Sequence, residues 1–203
     1  MRRLLIAVAG LALFAVPALA DDGACVERFK QLLVDGNPGK GPAKAHVTQS
    51  FGTMQTENNF YSLGAGSTDG LMEPVKGMGD AQVLFRNGKM YTSSDKGKTW
   101  TFVRELDKAS SPQAVKEKLM ADSDTATDVS CGTEALDGVE HETVEGTYVS
   151  STAQGATVKA KYWVNPETGW MRKAVTSGTM GGAESVTTQV IEPMPDLMLP
   201  DPG

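Results

Sequence analysis

Residues 138–192 read GVEHETVEGTYVSSTAQGATVKAKYWVNPETGWMRKAVTSGTMGGAESVTTQVIE, and they decide the fold. Four extended runs stand out: Val139–Ser151, Ala156–Val164, Trp170–Gly178 and Glu184–Ile191. They are rich in Val, Thr, Tyr and Trp, which suit a half-buried pleated surface. The breaks between them are Ala153-Gln154-Gly155, Asn165-Pro166-Glu167-Thr168-Gly169 and Gly181-Gly182. Pro presets φ in a turn and Gly supplies positive φ. Connections this short force neighbouring strands to run antiparallel, so the stretch is a meander.

Upstream, Val83–Arg86 and Lys89–Thr92 flank Asn87-Gly88, the strongest short hairpin signal. Thr99–Val103 returns as a further strand. Ala45–Glu57 reads as one strand with Val47, Phe51 and Thr53 on one parity; Asn58-Asn59 reads as a turn, and Gly64–Gly70 as a polar loop. Gly23–Gly36 reads as a helix, because Cys25, Val26, Phe29, Leu32 and Leu33 recur at helical spacing before the breaker Gly36-Asn37-Pro38-Gly39. Ser111-Pro112 opens a second helix, ending near Asp122, with Val115, Leu119 and Met120 as its inner face. Ser123–Val129 reads as a polar linker, and the proline-punctuated tail Pro193–Pro200 as extended chain. The expected architecture is α+β: one large curved antiparallel sheet of about eight to ten strands, with about two helices packed on one face.

The first twenty residues form a separate unit. Arg2-Arg3, the apolar run Leu4–Val16 and Ala18-Leu19-Ala20 have the pattern of a secretory signal peptide cleaved near Ala20. Residues 21–203 then form a single periplasmic or secreted domain, without a membrane span in the mature chain. The formal net charge is −6 and becomes more negative without Arg2 and Arg3, which disfavours nucleic acid and anionic headgroups as electrostatic partners. In an exported chain the two cysteines, Cys25 and Cys131, are expected to pair. Asp22-Gly23-Ala24 before Cys25 lacks the Leu-like residue of a lipidation box.

Three constellations invite chemistry. Ser93, Asp95, Gly97 and Trp100 fit the Asp-box pattern Ser-x-Asp-x-Gly-x-x-Trp. A single copy without an internal repeat reads as a local hairpin staple. Glu140, His141, Glu142 and Glu145 could suggest a metal site. Along a strand, however, His141 and Glu145 stand about 13 Å apart and the other two point the opposite way. Zinc needs three or four convergent ligands, so no metal is assigned. A Gly-x-Ser-x-Gly elbow is absent, and a hydrolase reading would need two carboxylates converging in a cleft, for which no residue is singled out. The reading assigns no catalytic residue and no cofactor.

Three stretches carry a resemblance: Gly132–Glu140 leading into a strand that ends near Gly146-Thr147-Tyr148-Val149, the hairpin Tyr162–Gly169 followed by Arg172-Lys173, and the closing strand Val186–Val190 before Pro193. Together with Val83–Thr92 and Trp100, they resemble the bacterial lipoprotein-carrier superfamily of the LolA/LolB and LppX/LprG type. The resemblance spans about Lys76 to Pro200 and implies a half-barrel whose concave face is covered by the helices and encloses an apolar cavity for acyl chains. The wall residues it implies are Val47, Phe51, Phe85, Trp100, Phe102, Tyr162, Val164 and Trp170. The functional expectation is a non-enzymatic carrier or sensor for an apolar small molecule or acyl chain, with envelope lipoproteins among its partners. The alternative is an envelope interaction protein with a filled core and no ligand.

Overall fold

The computed structural model describes residues 22–64, 66–77 and 79–203. The signal peptide read at Met1–Ala20 lies outside the described residues. The chain forms α1 (Asp22–Asp35), then six strands: β1 (Ala43–Phe51), β2 (Met54–Ser62), β3 (Gly70–Lys76), β4 (Gln82–Arg86), β5 (Lys89–Ser93) and β6 (Thr101–Glu105). A short 3-10 helix (Lys108–Ser110) and α2 (Pro112–Ser123) follow. Five strands complete the chain: β7 (Thr127–Leu136), β8 (Val139–Ser150), β9 (Ala156–Val164), β10 (Met171–Met180) and β11 (Ala183–Pro193).

All the strands belong to one antiparallel sheet in the order β6-β5-β4-β3-β2-β1-β11-β10-β9-β8-β7. Two meanders are thus joined edge to edge. The first runs outward from β1 to β6; the chain crosses through α2, and the second returns from β7 to β11. The seam is the β1–β11 ladder, in register from Ala43↔Pro193 to Phe51↔Ser185. Edges β6 and β7 do not meet, so the sheet is an open, curved half-barrel.

The core lies under α1. Phe29 and Leu32 meet Val144, Ala160, Tyr162, Val164, Met171, Ala174 and Ile191 from β8–β11. Phe29, Val144 and Ala160 are each 0% exposed. The Cys25–Cys131 disulfide fastens the start of α1 to β7. At the other end of α1, Asn37 donates to the Met171 carbonyl at 3.1 Å and accepts from the Met171 amide at 2.7 Å. The helix that follows Ser111 is capped as its sequence requires: the Ser111 hydroxyl accepts from the Ala114 amide at 3.3 Å.

Four sequence expectations are corrected. The run Ala45–Glu57 is two strands, β1 and β2, joined at Gly52-Thr53, where Gly52 takes φ 56°. Asn58-Asn59 is mid-strand: Asn59 bonds the His46 ring at 3.0 Å across the β1–β2 ladder. The expected loop Gly64–Gly70 ends in a strand, since Gly70 opens β3, whose Pro74 sits beside an irregularity at Glu57/Asn58. Finally, β7 begins at Thr127 within the expected linker, while Val115 and Met120 of α2 are exposed rather than internal.

Candidate functional site

Antiparallel register decides which side chains share the helix-covered face. Starting from the core residue Ile191, the ladder passes through Ala45, Phe60, Met72 and Val83. Phe85, two residues on from Val83, therefore faces the same way, and so does its partner Met90, which in turn opposes Arg104. α2 packs on α1 and β8, so it passes this half of the sheet without seating on its strands. The space between is a groove of about 780 Å³. Phe85, Arg104 and Leu106 line it from the sheet side, Val34 from α1, and Val115 and Leu119 from α2. At its rim Lys116 of α2 pairs with Asp35 of α1 at 2.7 Å, holding the two helices together.

Two smaller cavities lie on the same face. One of about 280 Å³ borders the first through Asp35 and is lined by Ala45, Phe60, Trp170 and Ile191, with Lys40 beside it. Lys40 is held to the Thr168 carbonyl at 2.7 Å. The other, about 180 Å³, lies towards the opposite rim and is lined by uncharged polar groups, among them Gln49, Tyr148, Ser150, Thr176 and Thr187. None of the three cavities brings two carboxylates together.

The wall residues expected from the sequence are distributed unevenly. Phe85 lines the large groove and Trp170 the neighbouring cavity. Val47 and Phe51 point to the concave face, opposite Gln189 and Ser185. Tyr162 and Val164 are instead in the filled core, 4% and 1% exposed; the Tyr162 ring meets Phe29 at 5.8 Å. Burial, followed by the neighbouring Tyr148, pushes the Tyr162 phenol up. Phe102 lies on the opposite face, edge-on to Tyr91 at 5.9 Å and 51% exposed. Trp100 lies against the Gly97 turn beside Gln82, two residues from Leu84 on that same opposite face.

The Asp-box is the local staple its pattern implies. Asp95 accepts from the Lys98 and Thr99 amides at 3.0 and 2.9 Å and from the Thr99 hydroxyl at 2.7 Å. Ser93 donates to Asp95 at 2.8 Å and accepts from the Gly97 amide at 2.8 Å. Hydrogen bonds from Thr99 are the main cause that holds the Asp95 carboxyl at about 2. The acidic stretch of β8 does not converge. His141 is buried on the Val139 carbonyl at 2.9 Å, Glu142 pairs with Arg28, and Glu145 pairs with Lys159 and Lys161. Among the described residues, no group of three His, Cys, Asp or Glu side chains could hold a metal ion.

The sequence reading missed Val34, Arg104 and Leu106 as groove residues. For Arg104 the available signal was its strand position, but an irregularity between Met90 and Tyr91 resets the parity of β6 against β5. Val115 and Leu119 were legible as an apolar helix face, and that face looks into the groove.

No family model matches this chain, and no curated protein does. Solved structures do. A LolA superfamily protein from Nitrosomonas europaea is 10% identical, with 87% of this chain and 94% of that one covered, at a TM-score of 0.36. A protein domain from Vibrio parahaemolyticus, named for outer membrane lipoprotein sorting, is 10% identical over 85% and 92%, at 0.35. A DUF1329 family protein from Desulfovibrio piger is 13% identical over 83% and 89%, at 0.28. The first carries the superfamily name that the hairpin motifs resemble. At such low scores and identities these likenesses bear no weight on what the chain does, and the fold stands on its own ladders.

Proposed function

We propose that the protein is an exported binding protein that holds an apolar ligand, a lipid or acyl chain, in the groove beneath α2, as a carrier or sensor. One observation carries this reading: a groove of about 780 Å³ stands open between α2 and the sheet, with Val34, Phe85, Leu106, Val115 and Leu119 around it. That volume is in the range of small-ligand sites, about 300–1,000 Å³. Apolar surface left facing water here gains about 25 cal/mol per Å² when a chain covers it. Export is supported by the Cys25–Cys131 disulfide, a bond kept in oxidising compartments. Among the described residues no helix is long and apolar enough to cross a membrane. Envelope lipoproteins, which present acyl chains, are the partners of this reading; it requires neither cofactor nor nucleic acid.

The test is titration of the delipidated mature chain with decanol, a neutral probe, followed by calorimetry and native mass spectrometry. Saturable binding of one or a few molecules is expected, weakened about tenfold or more by Leu119→Asp. No uptake by the wild-type chain would overturn the carrier reading and leave an interaction protein with a filled core.

A further inference from the structure

Apolar residues and the polar Ser67, Thr68, Ser110 and Gln113 share the groove's walls, which also hold a cation without a salt-bridge partner among the described residues. Two cations line it, Lys116 and Arg104. Lys116 is committed to Asp35 at 2.7 Å. Among the described residues Arg104 has no carboxylate within salt-bridge distance. Arg86, the last residue of β4, is by contrast paired with Asp69 at 3.1 Å. Asp107 is close enough for its carboxyl to feel Arg104, but it caps the 3-10 helix, accepting from the Ser110 amide at 2.8 Å. Register places Arg104 on the face of Met90 and Phe85, so its guanidinium rises from the groove's sheet side instead of turning out to the convex face.

We infer that the groove selects amphiphiles with an anionic head group, a carboxylate or a phosphate, held by Arg104 while the chain lies against Phe85, Leu106, Val115 and Leu119. This rests on the carrier reading and narrows its ligand class. A guanidinium presents a planar fork of N–H donors that matches either oxyanion with two parallel hydrogen bonds. The protein's overall negative charge discourages non-specific binding of anions to its surface.

The experiment compares decanoate, decyl phosphate and decanol on the delipidated mature chain at neutral pH, with wild type and Arg104→Gln. Arg104 stands on an exposed edge strand, and an unchanged urea midpoint confirms that the variant folds. The expected result is binding of one or both anions about tenfold or more tighter than decanol, with that preference lost in Arg104→Gln. Preference for only one anion supports the inference and assigns the head group to that source, a carboxylate or a phosphate. Decanoate and decyl phosphate binding no tighter than decanol would overturn the inference while leaving the carrier reading intact. A preference that survives Arg104→Gln would overturn the role of Arg104. Failure of all three probes to bind wild type would remove the carrier reading itself.

Discussion

Under α1, the meander β7–β11 closes over Phe29, Val144, Ala160 and Val164, exposed by 0–1%. On the same face of β1–β6 no side chain is buried among the described residues; only Gly70 is. Both meanders are made of similar strands. Their difference lies in what covers them. α1 brings an apolar stripe, Cys25, Phe29 and Leu32, squarely onto the sheet and is fastened at both ends. α2 leans on α1 and β8, so its Val115 and Leu119 face an open groove while Met120 is exposed. The first meander buries its own large residue, Leu84, on the opposite face, in register with Leu71 and Tyr91. The groove is the part of a core that no helix has closed.

That contrast can be broken by mutation. Phe29→Ala should cost about 3–5 kcal/mol in urea unfolding, because a close-packed site is left with a cavity. Phe85→Ala, whose ring meets open groove, should cost less than half as much. Equal losses would mean that the two halves are packed alike. Replacing Cys25 and Cys131 together by Ser should cost about 2–5 kcal/mol, since the bond closes a loop with a sequence separation of 106. Retention of the native unfolding midpoint would show that α1 needs no fastening to β7. Gly146→Val tests how full the filled half is. A Cβ there would stand 3.0 Å from both the Phe29 ring and a Val129 methyl, so a loss of about 1–3 kcal/mol is expected. A neutral result would reveal slack beneath α1.

The smallest effect is a titration. Burial, then the hydrogen bond to Glu73 and its charge, pushes the Tyr61 phenol up from 10.0 to about 12. A raised pKa means that the fold favours the protonated form. Its contribution is whole below the unfolded value of 10.0 and is lost as pH rises through about 12. Phenolate absorbance should therefore show Tyr61 of the open half ionising within the folded state at about 12, while Tyr162, sealed against Phe29, ionises only when the core opens. Simultaneous ionisation of both would erase the distinction between the halves.

Legibility followed the same division. Strands β8–β11 lie within a few residues of their sequence limits, because glycine and proline turns bound period-two runs. In the first meander the hairpin at Asn87-Gly88 was legible for the same reason: both residues take positive φ, 51° and 73°. The β1–β2 turn at Gly52-Thr53 was hidden by apolar residues on both sides. Of the wall residues, Phe85 and Trp170 line cavities, whereas Tyr162 and Val164 are sealed in the core. Alternation reports which side chains share a face. It does not report whether a helix lies on that face.

The sequence by itself determined the α+β class, the antiparallel meanders, the two helices with their caps and breakers, and the pairing of its two cysteines, since each depends on local backbone chemistry or on composition. Only the tertiary structure decided that β1 pairs with β11, that α1 seals one half while α2 leaves the other open, and that Arg104 faces the groove. Those outcomes depend on register across strands far apart in the chain and on where a helix docks, which no local pattern encodes.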